Sequence, residues 1–448
     1  METDTFRAML ATVTERATGF DRDAFEAFLQ RRGEPAWLAD FRRAAFDTFA
    51  SLDLPSRKHE EWMRTDIRRF HLERYTPLPG GDQAAHGALP AARLAAGVQV
   101  GGSVLSLDGQ CVTSALDEDL AAQGVLCGPI ADLAGPHEDL LRPRLMTRAF
   151  DPAYDKFAAL HAAFFGGAVI YVPPGVEIKK PLLIQNVLGE GGFDAGHQLI
   201  ILGEGAAATV LSETASLTPG GDGFHCGGVE LLVGKRARLR YVNLQNWGSG
   251  VWHFAHQKAR LAEDAALQWT LGALGARLAK VNQQVALVGP GARSQVNGAM
   301  FTEGTQHLAY HTLQHHEAPN TRSDFLYKAA LQDKSRTVWR GMIKVEPAAQ
   351  RTDGYQRNDN LLLTPDARAD SIPGLEIQAD DVRCTHGATT GRVDDELIFY
   401  CQSRGFTRRE AVRAIVTGFF QQIFDRITIE SVREALGLAI AQRVREYE

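Results

Sequence analysis

Apolar residues recur at helical spacings near both ends of the chain and alternate with polar residues in between. Phe25, Phe28 and Leu29 come first, and Trp37 and Phe41 continue the pattern after a Gly-Glu-Pro break. Repeats of three and four residues are typical of amphipathic helices. We therefore predict helices up to about residue 75, followed by a linker rich in Pro, Gly and Ala up to about residue 102.

The middle of the chain carries a different pattern. Short alternating runs such as QLIILG, GVELLVG and RTVWRGMIKV are separated by Gly, Pro or acidic residues. Runs of this length and period predict β-strands. Here we predict a single helix, over the run DPAYDKFAALHAAFF, which ends at Gly166 and Gly167.

A corner theme recurs among the predicted strands, as in LGEGAAATV and LVGPGARSQV. Its marker alanines are Ala207, Ala237, Ala265 and Ala292. They follow one another at a near-constant interval, which indicates a solenoid because each rung buries its apolar face only by stacking on the next. Strands with corners and without crossover helices favour a β-helix. A β-sandwich or barrel is the alternative.

The helical pattern returns near residue 394. Thr407 and Glu410 have the spacing of a capping box. A wide apolar stripe follows, at Val412, Ile415, Val416, Phe419, Phe420 and Ile423. A module of about 55 residues buries too little surface to be stable alone, so the stripe should pack on the solenoid or on a partner.

These patterns predict a mainly β chain in three parts. Residues 1–95 form an N-terminal helical region and linker, 96–385 a β-helix core, and 386–448 a C-terminal helical domain.

Composition excludes several classes of protein. The 448 residues include 48 basic and 54 acidic ones, a net charge of −6, so no basic excess exists for nucleic-acid or anionic-membrane binding. No apolar run is long enough to span a bilayer, and the start METDTFRAML lacks a secretory pattern. Five scattered cysteines without a C-x-x-C pair favour a reducing cytoplasm over a disulfide framework.

Familiar catalytic motifs are missing from the sequence. It has no G-x-x-x-x-G-K-S/T phosphate loop, no G-x-S-x-G elbow and no H-E-x-x-H helix. We therefore expect a non-catalytic protein that does not hydrolyse ATP itself.

Cys384 and His386 form the most distinctive pair of candidate ligands. In an extended segment they leave the same face, about 7 Å apart. A thiolate and an imidazole suit iron or zinc, but a cluster or a structural zinc needs about four ligands. From spacing alone, the simpler interpretation is a small buried cysteine beside a hydrogen-bonding histidine.

Four histidines cluster in the run HLAYHTLQHH, at His307, His311, His315 and His316. The first three share one face of a strand or a helix. Metal binding and a packed polar ladder along the solenoid are the two interpretations, and the ladder is favoured because no acidic or thiolate partner shares the spacing.

The run LEIQADDVRCTHGATTG, followed by DELIFYCQSRGF, resembles the SufB/SufD family of the SUF iron–sulfur cluster assembly system. LPSRKHEEWMRTDI, HTLQHHEAPNTRSDFLYKAAL and RTDGYQRNDNLLL agree with it, so the similarity covers nearly the whole chain. It implies a right-handed parallel β-helix between helical regions.

Two positions favour the SufD branch of this family. Asn358 stands where SufB carries a functional cysteine, and Gly387 replaces the glutamate of its H-E-A-T-T motif. The runs CTHGA and RTDGYQ also look like SufD.

The resemblance implies a cytoplasmic scaffold subunit that pairs with a SufB-like paralogue through the β-helix. A SufC-like ATPase would bind the C-terminal helices, with the apolar stripe as the expected contact. A transient iron–sulfur cluster would form at the subunit interface, with His386 as contributor and Cys384 as its neighbour. The isolated chain would hold no tightly bound cluster, and a homodimer stays open for it.

Two rival functions remain. A pure adaptor would join the partners without touching iron or sulfur. A β-helix carbohydrate-active enzyme would need a cluster of acidic residues on one face and secretion, and the sequence shows neither.

Overall fold

A parallel β-solenoid built from two sheets forms the centre of the computed structural model, which describes residues 19–77 and 89–444. The start of the predicted N-terminal region, before Gly19, and part of the predicted linker lie outside the described residues.

Strands are numbered along the chain and alternate between the sheets through most of the solenoid. Sheet A contains β1 Gly102–Leu107, β2 Gln110–Leu116, β5 Leu182–Leu188, β8 Ala207–Ser216, β10 Arg238–Asn246, β12 Ala266–Ala273, β14 Arg293–Thr302, β16 Arg322–Leu331, β18 Thr352–Leu362 and β20 Val382–Arg392. Sheet B contains β3 Leu126–Pro129, β4 Gly166–Val172, β6 Gly192–Asp194, β7 Gly196–Leu202, β9 Asp222–Val233, β11 Gly250–Leu261, β13 Leu278–Leu287, β15 His307–His316, β17 Arg336–Val345 and β19 Arg368–Ile377.

The predicted β-helix is confirmed, and its period has a simple origin. Ala207 opens β8, while Ala237, Ala265 and Ala292 stand directly before β10, β12 and β14. These strands are successive neighbours in sheet A and pair in parallel, with one strand of sheet B between each two along the chain. Each interval between marker alanines is therefore one turn of two strands.

Side chains alternate between the lumen of the solenoid and its outer faces, as strand geometry requires. The lumen holds a continuous apolar core that includes Tyr241, Trp269, Val296 and Trp339. Polar residues share it toward the C-terminal end, where His316 bonds to Thr321 and Ser323.

Helices flank the solenoid in sequence and in space. They are α1 Arg22–Arg32, α2 Ala36–Ser51, α3 Glu118–Ala122, α4 Ile130–Leu133, α5 Glu138–Leu141, α6 Lys156–Phe164, α7 Asp395–Ser403, α8 Arg408–Phe424 and α9 Glu430–Ala441, with short 3-10 turns at Glu60–Trp62 and Leu72–Arg74. The sequence does not predict the three short helices α3 to α5, because a helix of little more than one turn is too short to show a periodic pattern.

N-terminal helices cover the outer face of sheet B. Phe25 of α1 stacks on Phe46 of α2, and Phe164 of α6 packs edge-on against Phe25. Phe157 stacks on Phe254 of β11 at 3.9 Å between ring centres. The helix predicted over 151–165 is confirmed as α6, but it begins only at Lys156, because Asp155 caps its first turn.

The C-terminal helices cover part of the outer face of sheet A. The predicted capping box at Thr407 and Glu410 is present at the start of α8. Leu436 of α9 fits closely over Gly272 of β12, where an added Cβ would clash with a methyl group of the leucine. The predicted boundary between 385 and 386 falls inside β20, which continues to Arg392 because its backbone still pairs with β18.

Candidate functional site

The C-terminal end of the solenoid is an open rung made of β19 and β20. Within the described ranges each strand pairs on one side only, β19 with β17 and β20 with β18, and each is the last strand of its sheet. A lone strand edge exposes backbone donors and acceptors that can pair with another chain. We call β19 and β20 the last rung.

On the last rung, the side chains that face the lumen are exposed, because no further turn of the solenoid covers them within the described residues. Leu375 and Ile377 of β19 are 39% and 38% exposed, although the corresponding residues one turn earlier, Ile343 and Val345, are fully buried. Cys384 and His386 lie on β20, in register with Gly354 and Gln356 of β18. The open rung therefore combines apolar residues with a thiol and an imidazole.

Cys384 is half-buried against the preceding turn. Its Sγ lies 3.2 Å from where a Cβ on Gly354 would stand, and the side chain packs on the small apolar cluster of Ile343 and Val345. Burial raises the pKa of the Cys384 thiol, and the nearby Asp353 carboxylate adds to this. The thiol must lose its proton before it can bind a metal.

His386 is exposed on the same edge. In the described part of the chain its ring makes no hydrogen bond, whereas Gln356 beneath it is fully buried and donates to the carbonyls of Gly341 and Gly374. The imidazole is free to meet a partner or a ligand. The predicted common face of Cys384 and His386 follows from their i, i+2 positions on one strand.

Two donors make an incomplete metal site. Among the residues that the structure describes, no group of three or more His, Cys, Asp or Glu side chains is arranged to hold a metal ion. Cys384 and His386 fit a half-site for a soft or borderline metal, and the missing donors would have to come from another chain or from inorganic sulfide.

A buried polar network supports the last rung. Asn358 is 1% exposed and accepts hydrogen bonds from Asn360 (3.0 Å) and Ser371 (2.6 Å). Asn360 also donates to the carbonyl of Thr389 and the hydroxyl of Thr390. This network ties β18 to both strands of the last rung. Sequence reasoning singles out only Asn358, because cross-strand bonds depend on a register that the sequence alone does not give.

The four histidines are separated rather than gathered. His307, His311 and His315 lie on the outer face of β15, and His316 points into the lumen. His315 bonds to Glu346 at 2.7 Å, and burial lowers the pKa of His311 to about 2, with Lys280 and Arg340 adding to the shift. The arrangement is a polar ladder along the strand.

The apolar stripe of α8 is mostly covered by this chain itself. Val412, Val416, Phe420 and Ile423 are buried against sheet A and α9, while Ile415 and Phe419 are half-buried. The four buried residues form the core of the small helical module, and contact of the stripe with an ATPase stays a prediction.

Helix α7 carries a different apolar surface. Leu397, Phe399 and Tyr400 are 50%, 72% and 57% exposed, and Phe406 just beyond the helix is 49% exposed. We call these four residues the α7 patch. Sequence analysis misses it, because the pattern of a nine-residue helix, DELIFYCQS, does not show which of its apolar residues the rest of the chain leaves uncovered.

No helix in the described ranges is long and apolar enough to cross a membrane.

The chain is similar in sequence to proteins of one family. The family described as "SUF system FeS cluster assembly, SufBD core domain" matches residues 185–419. An iron–sulfur cluster assembly SufBD family protein of Mycobacterium leprae is 35% identical over 298 residues, covering 64% of this chain and 74% of the relative. The iron–sulfur cluster assembly protein SufB of Bacillus subtilis is 26% identical over 434 residues, 92% of this chain and 90% of the relative.

Proposed function

The chain belongs to the SufBD family of the SUF iron–sulfur cluster assembly system, and on that basis we propose that it is a non-catalytic, SufD-like scaffold subunit. It pairs with a SufB-like paralogue through its last rung and recruits a SufC-like ATPase through its C-terminal helices. The nascent iron–sulfur cluster is the cargo of this complex and forms where the two solenoids meet.

The open last rung is the observation that carries this proposal. Leu375 and Ile377 leave apolar surface uncovered at the solenoid end, beside two strand edges with unpaired backbone groups. A second solenoid that stacks here would bury both features at once. A SufB-like paralogue fits because relatives named for both SufBD and SufB match this chain over most of its length.

The ligand count supports a cluster at the interface rather than on one chain. Cys384 and His386 supply at most two donors, on the same side of the rung as the exposed apolar residues. A partner that covers this end would bring its own donors within reach and exclude water from the cluster. His386 would ligate or move a proton, since a neutral imidazole can do either.

The SufC-like ATPase binds the α7 patch. Three of the large apolar side chains of the patch project from α7, which buries only Ile398 deeply, and the fourth, Phe406, lies just beyond the helix. Aromatic residues of this kind anchor most protein interfaces. The buried stripe of α8 then acts indirectly, by holding α7 and its neighbours on the solenoid.

A pure adaptor is the second candidate, favoured by one observation. The Cys384 thiol has a raised pKa, so the isolated chain does not present a thiolate ready to bind iron. An adaptor would form the same complex without using Cys384 or His386, so only the cluster content of the assembled complex distinguishes the two roles.

Substitution at the last rung tests the pairing. Leu375→Asp places a charge on the surface that the paralogue would bury, so co-purification with a SufB-like protein should fall strongly. Val112→Asp is the matched control, because Val112 is 41% exposed on β2 at the opposite end of sheet A. Equal co-purification by both variants would contradict pairing through the last rung.

A further inference from the structure

A groove of about 570 Å³ crosses the outer face of sheet A beside the C-terminal helices. It lies over the first residues of the strands, whereas the helices cover the apolar residues further along the same strands. Its arginines are Arg238, Arg240, Arg293 and Arg322, and we call it the arginine groove. Neither the open rung nor the α7 patch includes these residues.

The register explains why the arginines gather. Arg238, Ala266, Arg293 and Arg322 are successive partners across β10, β12, β14 and β16. Adjacent strands are about 4.8 Å apart, so Arg238 and Arg293 are about 10 Å apart with only the methyl group of Ala266 between them. Arg240 lies two residues further along β10, on the same face. Four arginines thus line one face of the sheet, with small side chains between them.

The charge of the groove is only partly balanced. Arg322 Nε lies 3.7 Å from a carboxylate oxygen of the half-buried Asp353, and Arg238 Nη2 lies 3.9 Å from a carboxylate oxygen of the exposed Glu177. Asp324, which also lines the groove, is held by Arg426 at 3.1 Å. Within the described part of the chain, the side chains of Arg240 and Arg293 make no hydrogen bond or ion pair, so two guanidinium groups have their donors available.

We propose that the arginine groove binds a small anion that carries at least two phosphate groups. Guanidinium groups bind phosphate oxygens through two parallel hydrogen bonds, and strands hold their arginines at fixed spacings. The volume lies in the range of small-molecule sites. Of the residues described, no aromatic one lines the groove, so recognition rests on the phosphates and not on a stacked base.

An acidic protein segment fits the groove less well. All strands beneath it are paired on both sides, so no free edge is offered to an added strand. The outward floor is made of Ala207, Thr209, Ala266 and Gln268, and provides no large apolar anchor of the kind that protein interfaces use.

Calorimetric titration of the full chain with inorganic pyrophosphate at low salt tests the proposal. Wild type should bind saturably, and Arg240→Ala/Arg293→Ala should bind about tenfold to a hundredfold more weakly, as expected for lost charge-assisted hydrogen bonds. Ala266→Glu should abolish binding, because its carboxylate would form ion pairs with the neighbouring arginines. Circular dichroism confirms that each variant is folded.

The control carries the same change in net charge. Arg43→Ala/Arg142→Ala removes two exposed arginines from α2 and from the end of α5, outside the groove, and should bind like wild type. ATP should bind as pyrophosphate does, and adenosine should not bind, if the phosphates are what is recognised. Absence of saturable pyrophosphate binding, equal weakening in the control, or equal affinity for citrate would overturn the proposal.

Discussion

Cys384 and His386 show which features of a site residue spacing predicts and which it does not. Their positions on one strand predict a shared face, and β20 provides it. Their exposure depends on β20 being the last strand of sheet A, which local sequence does not reveal. The same limit applies to Arg240 and Arg293, since they lie on different strands and only the register brings them to one groove.

A buried histidine in the lumen gives a pH prediction. Burial lowers the pKa of His316 from 6.5 to about 4, with His315 adding to the shift. Below pH 6.5 the unfolded chain therefore binds a proton that the folded chain does not. As the pH falls from 6.5 to 4, protonation of this histidine in the unfolded chain should lower the free energy of unfolding by about 1.4 kcal/mol for each pH unit. Above pH 7 it should have no effect.

Urea denaturation at about pH 7.5 and about pH 5.5 measures this effect. His316→Gln should be less stable than wild type at the higher pH, because it loses bonds to Thr321 and Ser323. Its loss of stability between the two pH values should be smaller than that of wild type. An unchanged pH dependence in the variant would contradict the assignment.

Among the elements, the strands are the more predictable and the helix surfaces the less so. Corner residues mark each turn of the solenoid, because a chain that leaves one sheet must bend before it enters the other. The stripe of α8 is recognisable as an amphipathic face, but its pattern does not say whether sheet A or a partner covers it. Packing decides that, and here sheet A covers it.

Packing of α9 on sheet A depends on Gly272. A side chain there would meet Leu436. Gly272→Val should therefore cost about 1–3 kcal/mol of unfolding free energy, as overpacking usually does. Adding Leu436→Ala creates room and should recover part of the loss. Denaturant titration of the single and double variants measures the coupling. Purely additive losses would mean that the two side chains do not meet.

The α7 patch predicts a selective loss of ATPase binding. Phe399→Glu/Tyr400→Glu should weaken binding of a SufC-like ATPase at least tenfold, because aromatic anchors contribute most at such interfaces. Both side chains are exposed, so folding should be unaffected. Leu54→Glu/Met63→Glu, at two exposed N-terminal residues, adds the same charge and is the control. Surface plasmon resonance against the ATPase measures the affinities, and equal binding by both variants would exclude the patch.

At the scale of the whole molecule, the two outer faces and the C-terminal end of the solenoid differ in what covers them. N-terminal helices cover sheet B, C-terminal helices cover sheet A, and the last rung stays open. The sequence predicts this order of elements correctly. It does not give the open end, because which rung ends the stack is a property of the assembled sheets.

The proposed scaffold also explains why one chain should be insufficient. With two candidate donors on the last rung, the isolated chain should retain little or no iron after anaerobic reconstitution. Only the complex with a SufB-like paralogue and a SufC-like ATPase should hold a cluster.

The iron and acid-labile sulfide content of that complex, with His386 intact or replaced by alanine, tests the central claim most directly. His386 is exposed, and its ring makes no hydrogen bond in the described residues. His386→Ala should therefore have little effect on folding, as surface substitutions usually do, and leave the yield of complex unchanged. We predict a sharp fall in cluster content at equal complex yield. A wild-type cluster content in the His386→Ala complex would contradict the account and leave the chain a pure adaptor.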